Sequence, residues 1–134
     1  MNPFSSRCCQ HNHSQGWPYY IEHLAMATPD NGVAIALYGA CTVSLKIADN
    51  KPVTIKEVTN YPFEESVRFT INTEQKIKFP VYLRIPSWCK RGSLKINGVV
   101  QSNKTVPGQY ALILRTWNNG DVVTLDFSME RISF

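Results

Sequence analysis

A chain of 134 residues with 43% hydrophobic content has material for one domain and one ordinary core. Its net charge of +4 comes from fourteen Lys and Arg spread from Arg7 to Arg131 among ten carboxylates, so no basic face is gathered and no nucleic-acid partner is expected. No apolar run approaches the ~20 residues that cross a bilayer, no signal-peptide core follows Met1, and the four cysteines lack the regular spacing of a disulfide scaffold. The expectation is a chain with no membrane partner and no targeting segment of its own, which leaves localisation open.

The first segment to carry chemistry is Arg7-Cys8-Cys9-Gln10-His11-Asn12-His13. Adjacent cysteines do not easily bridge each other, because Cα atoms across a trans peptide lie ~3.8 Å apart and an unstrained disulfide wants more. The pair therefore reads as a thiolate site, metal-bound or nucleophilic, or as a chance buried pair. With His11 and His13 the segment is dense in metal donors, although a disordered terminus is the plainer expectation.

Trp17, Tyr20, Ile21 and Leu24 follow at i, i+3, i+4 and i+7, with Pro18 suited to a first helical turn and Pro29-Asp30-Asn31-Gly32 as a stop. This spacing predicts one short amphipathic helix over Pro18 to Ala27, with His23 on its surface or in its packing.

From Val33 onward the period changes to two. Cys41, Val43, Leu45 and Ile47 alternate with polar residues, as do Val67, Phe69 and Ile71, and Val123, Leu125, Phe127 and Met129. The longest run is Ile77, Phe79, Val81, Leu83 and Ile85, with Pro80 inside it marking an edge or bulge. Turn signals stand at Asn31-Gly32, Asp49-Asn50-Lys51-Pro52, Asn97-Gly98, Pro107-Gly108 and Asn119-Gly120. About eight short strands predict an all-β fold, an antiparallel β-sandwich of jelly-roll or meander type, with one short N-terminal helix.

Other candidate groups have structural explanations. Cys41 shares its strand's apolar face and reads as a small core residue, and Cys89 as packing or a partly exposed thiol. Glu64 and Glu65 are neighbours that point opposite ways, so they read as solvated loop charges rather than a glycosidase pair. Trp88, Trp117, Tyr82 and Tyr110 could form a sugar-stacking platform, but core or interdomain packing is the expectation.

The run Cys8-Cys9-x-x-Asn12, then Leu83-Arg84-Ile85-Pro86-Ser87-Trp88, Ile96-Asn97-Gly98 and Trp117-x-x-Gly120-Asp121-Val122-Val123, resembles the bacterial β-L-arabinofuranosidase family of glycoside hydrolases (family 127-like). Order and spacing match across nearly the whole chain. The resemblance implies a long parent in which an (α/α)6 barrel carries catalysis and β-sandwich domains follow. It implies that residues 1–30 are the tail of the barrel and residues 31–134 a sandwich.

In that family the vicinal cysteines, a third cysteine and a glutamate hold zinc, and the first cysteine of the pair attacks the anomeric carbon while a separate glutamic acid protonates the leaving oxygen. The mechanism is a retaining double displacement with sulfur as nucleophile. By resemblance Cys8 is nucleophile and zinc ligand, and Cys9 the second ligand. The remaining ligands and the acid/base lie upstream of the pair in the family, and only Met1 to Arg7 precede it here. Two of four ligands do not close a tetrahedral site, so zinc and the carbohydrate partner, an L-arabinofuranoside, are expected of the parent and not of this chain alone.

Two competing readings use the same residues. One is a free-standing carbohydrate-binding or protein-interaction β-domain. The other is a small zinc module built on Cys8, Cys9, His11 and His13. A helix that has lost its barrel neighbours also implies self-association through its apolar stripe.

Overall fold

The computed structural model describes residues 7–47, 50–102 and 105–129, without the side chains of residues 7–11 and 13. In chain order it contains α1 (Arg7–Glu22), β1 (Ala25–Ala27), β2 (Val33–Ile35), β3 (Cys41–Ile47), β4 (Lys51–Thr59), β5 (Ser66–Thr73), β6 (Ile77–Arg84), β7 (Gly92–Ile96), β8 (Val99–Val100), β9 (Tyr110–Trp117) and β10 (Asp121–Phe127). The strands form two sheets, ordered β1-β2-β6-β9 and β3-β4-β5-β10-β7-β8. All pairings are antiparallel except β2 with β6, which run parallel through Val33↔Val81 and Ile35↔Leu83.

The fold is the expected all-β sandwich with one helix. Inward residues of the smaller sheet, among them Ile35, Phe79, Leu83, Ile113 and Trp117, share one buried core with Ile55, Phe69, Ile71, Leu94, Leu125 and Phe127 of the larger. Burying each large apolar side chain contributes about 1.5–3 kcal/mol. Trp117 is fully buried and satisfies its indole by donating from Nε1 to the Phe79 carbonyl at 3.0 Å. At one end of the sandwich Tyr38 packs on Phe127 at 5.3 Å and on Phe69 at 6.2 Å, with Tyr61 and Trp88 against Phe127.

Each of the five expected turns contains a residue at positive φ: Asn31 (58°), Asn50 (67°), Asn97 (49°) with Gly98 (81°), Gly108 (76°) and Gly120 (82°). Asn and Gly tolerate this left-handed region, which is why their positions could be read directly. Asn97 and Gly98 make the two-residue hairpin between β7 and β8. Pro80 lies one residue beyond the reach of β2, so at that position β6 has a ladder partner only in β9.

The helix differs from the expectation at both ends. It begins by Arg7 and contains Pro18 in its interior, where proline costs about 3 kcal/mol and must be tolerated by an exposed turn. It stops at Glu22 because His23 and Leu24 donate to the carbonyls of Tyr20 and Ile21, tightening the last turn. Ala25–Ala27, expected as helix, is captured as a strand by β2, with Ala25↔Ile35 in register and Ala36 donating to Leu24 O. Helical spacing survives locally: Trp17 and Tyr20 touch edge to face at 6.3 Å. Among the described residues no helix is long and apolar enough to cross a membrane.

Gly32 is required for a different reason from the turn residues. A Cβ there would stand 2.4 Å from the Pro80 carbonyl and 2.5 Å from its ring, neither of which can swing away. Gly32→Ala is expected to lower unfolding free energy by about 1–3 kcal/mol by overpacking, read from the midpoint of a urea titration. An unchanged midpoint would show that β2 does not depend on this approach.

Candidate functional site

Cys8 and Cys9 occupy consecutive positions early in α1. Their side chains, with those of His11 and His13, lie outside the described residues, so the zinc and nucleophile assignments and the zinc-module reading receive no geometry. Among the described residues there is no group of three or more His, Cys, Asp or Glu side chains able to hold a metal ion. The described thiol and carboxyl that approach each other are Cys41 on β3 and Glu57 on β4, with Sγ 4.0 Å from Oε2. One thiol and one carboxyl do not make a tetrahedral zinc site. They also sit beside Tyr20, twelve residues from Cys8, or ~18 Å along a helix. The described donors therefore do not fit zinc, and no catalytic step can be routed through them.

Glu57 is the group that sequence reasoning missed. It continues the inward series Val53, Ile55, Glu57 of β4 and is only 4% exposed. Its Oε1 accepts from the Gly39 backbone N–H at 2.9 Å. Burial dominates, and the carboxyl is pushed from an ordinary 4.5 up to about 7, the Gly39 hydrogen bond pulling the other way. Its neighbours respond: burial and the Glu57 charge raise the Tyr20 phenol, the Tyr38 phenol and the Cys41 thiol. Tyr20 donates to the Tyr38 carbonyl at 2.9 Å, and the Tyr38 hydroxyl donates to the Arg84 carbonyl, so the loop between β2 and β3 joins helix and sandwich.

Cys41 is half-buried rather than a core residue, because β3 is an edge strand whose inner face is only partly covered. Cys89 is fully buried and donates from Sγ to the Arg91 carbonyl at 3.3 Å, a packing role. Glu64 and Glu65 are exposed and have separate partners: Glu64 accepts from Asn60 within its own turn at 2.9 Å, and Glu65 from the distant Met129 N–H at 3.1 Å.

Two of the motifs that carry the resemblance meet one another. Asp121 accepts from Asn97 Nδ2 and from the Asn118 N–H, both at 2.9 Å, while Asn97 Oδ1 accepts from the Val122 N–H at 2.8 Å. Burial works against the Asp121 charge, but these hydrogen bonds and Arg115, 3.6 Å away, hold its carboxyl below the usual range. Arg115 also lies over the Trp117 ring at 5.2 Å. Asn97-Gly98 and Trp117-x-x-Gly120-Asp121 are thus parts of one network that ties the β7–β8 hairpin turn to the turn that carries the chain from β9 of one sheet to β10 of the other.

The four aromatics do not form one platform. Trp117 is core and Trp88 packs edge-on to Phe127, but Tyr82 and Tyr110 share the outer face of the smaller sheet. There, with Thr28, Pro29, Asp30 and Ala34, they line an open groove of about 500 Å³. Hydrogen bonds from Thr28 and from Tyr82, each 2.5 Å, hold the Asp30 carboxyl below its ordinary value.

The geometry defines a two-sheet β-sandwich domain entered by a helix. Residues 32–129 match the model of the β-L-arabinofuranosidase GH127 middle domain, and the chain belongs to that family. It is 31% identical to a GH127 β-L-arabinofuranosidase from Geobacillus stearothermophilus T6, with TM-score 0.85 over 94% of this chain and 20% of that one. A structure described as a glycoside hydrolase gives the same identity and TM-score over 97% of this chain and 22% of its own. A GH127 β-arabinofuranosidase is 26% identical, with TM-score 0.69, over 77% of this chain and 18% of that one. The chain thus spans about a fifth of the length of the solved structures it matches. No curated relative matches the sequence.

Glu57 sets a pH signature. A carboxyl whose folded value is raised binds more protons folded than unfolded between about pH 4.5 and 7, so stability falls as pH rises through that window and is flat above it. The loss is expected to be about 1–3 kcal/mol in the wild type and absent in Glu57→Gln, which becomes the more stable protein at pH 8. Urea titrations across pH 5–8 compare the two, and parallel profiles would remove Glu57 as the source.

Proposed function

We propose that this chain is a non-catalytic β-sandwich portion of a glycoside hydrolase whose full-length form acts on L-arabinofuranosides. The observation that supports this reading is the asymmetry of the match: 94% of this chain aligns with 20% of a β-L-arabinofuranosidase at 31% identity. On this reading residues 1–30 belong to the tail of an (α/α)6 barrel and residues 31–134 to the sandwich. Cys8 is then the nucleophile and a zinc ligand, and Cys9 a second ligand, in a site completed by residues that this chain does not contain. Zinc and the carbohydrate partner belong to the parent.

Elemental analysis of protein purified without a metal-affinity tag, with hydrolysis of p-nitrophenyl arabinofuranosides by the same sample, tests this. The expected result is no stoichiometric zinc and no turnover. One equivalent of zinc with turnover would mean that the site is complete, and the non-catalytic reading would fail.

A second reading, a sugar-binding β-domain, is favoured by the groove that carries Tyr82 and Tyr110. Titration calorimetry with arabinan oligosaccharides decides it: heat lost in Tyr110→Ala supports binding, and no heat with the wild type ends it.

Self-association through α1 follows from the exposure of Trp17 (57%) and Ile21 (62%) on the helix. Sedimentation velocity is expected to show concentration-dependent dimers that Ile21→Glu reduces. A wild-type monomer at all concentrations would refute this.

A further inference from the structure

The end of α1 is joined to the sandwich by a short relay of polar contacts. Tyr20, in the last two turns of the helix, donates to the Tyr38 carbonyl at 2.9 Å. The next residue, Gly39, lies under that phenol and under Leu24, and its N–H donates to Glu57 Oε1 at 2.9 Å. Leu24 is buried, whereas Trp17, Tyr19 and Ile21 are exposed, so among the described side chains the attachment is concentrated at this end.

We propose that Glu57 is a positioning residue for the helix that carries Cys8 and Cys9, acting through Gly39 and Tyr38 on Tyr20 and holding the helix end down in its neutral form. The docking belongs to this chain's own residues; its meaning for the cysteine pair rests on the proposed function above. The physical reason is desolvation. Tyr20 of α1, Tyr38 and Gly39 of the loop, and Cys41 of β3 surround a carboxyl that is 4% exposed. A carboxylate in that place gains water only if part of its cover lifts, and the least attached part is the helix end.

The groups that face this cluster limit what else could titrate. The phenols of Tyr20 and Tyr38 and the thiol of Cys41 are all pushed above their ordinary values, away from neutrality. Tyr61 lies near Tyr20, and Arg84 on β6 is turned toward the same loop, its Nη1 3.4 Å from the Ala36 carbonyl. His23, at the helix end, has Nδ1 2.6 Å from the Tyr19 carbonyl.

Hydrogen exchange of the whole chain at pH 5.5 and pH 8.5, corrected for intrinsic rates and read by mass spectrometry, tests the relay. In the wild type, peptides covering residues 17–24 and 36–41 are expected to lose protection about tenfold at the higher pH, one pKa unit of differential interaction. Peptides of β9 and β10 report global opening, so the fall in stability expected from Glu57 is read there, and the relay is read from the loss at residues 17–24 and 36–41 beyond it. Glu57→Gln keeps the acceptor and cannot ionise, so its protection is expected to be independent of pH. Tyr20→Phe breaks the relay without touching Glu57 and is expected to exchange faster at both values. A wild type with no pH response overturns the proposal, as does a Tyr20→Phe profile equal to the wild type. A response that persists in Glu57→Gln overturns it too and assigns the effect to another group. None of these outcomes depends on zinc or turnover, so failure here is distinct from failure of the glycoside-hydrolase reading.

Discussion

The smaller sheet depends on the close approach of β2 to β6. Gly32 lets the chain pass against Pro80, and within the next three residues Val33 and Ile35 are buried beside Val81 and Leu83. Through this parallel pairing the N-terminal segment enters the sandwich, since β1 pairs only with β2 and α1 ends two residues before β1. Without it, β6 would present an unpaired edge and β1 would have no partner strand.

The larger sheet is organised differently. Its outer face is polar, with Thr42, Ser44, Lys46, Lys56 and Arg68 exposed or half-exposed, and its turns are tied by the Asn97 and Asp121 network. On the outer face of the smaller sheet stand Tyr82, Tyr110, Leu112 and Leu114. The two faces therefore have different relations to water, and of the residues that carry the family resemblance Leu83, Ile85 and Trp117 pack the core while Asn97 and Asp121 tie turns.

Most of the sandwich was legible because period-two alternation and left-handed turn residues are local properties. Strands of seven or eight residues such as β3, β6 and β10 showed it plainly. β1, β2 and β8 have two or three residues each, too few for a period, and exist because partners capture them. The helix was misplaced for the same reason: Ala25 to Ala27 is helix-compatible in isolation, and only pairing with β2 decides its state. Glu57 carried a readable signal, since it falls in step with Val53 and Ile55, but a charged residue in an inward position is easily taken as a strand's end. The cysteine pair was legible only as chemistry, because two adjacent thiols set no spacing from which their partners could be read.

The attachment of α1 at one end makes it a lever. From Tyr20 to Cys8 is ~18 Å of helix, so a tilt of about 10° at the joint carries the cysteine backbone through roughly 3 Å. A catalytic constellation tolerates misplacement of only about 0.5 Å. Any site that includes the cysteine pair therefore needs a second fixed point near that end of the helix, and the sandwich alone, however rigid, cannot aim it.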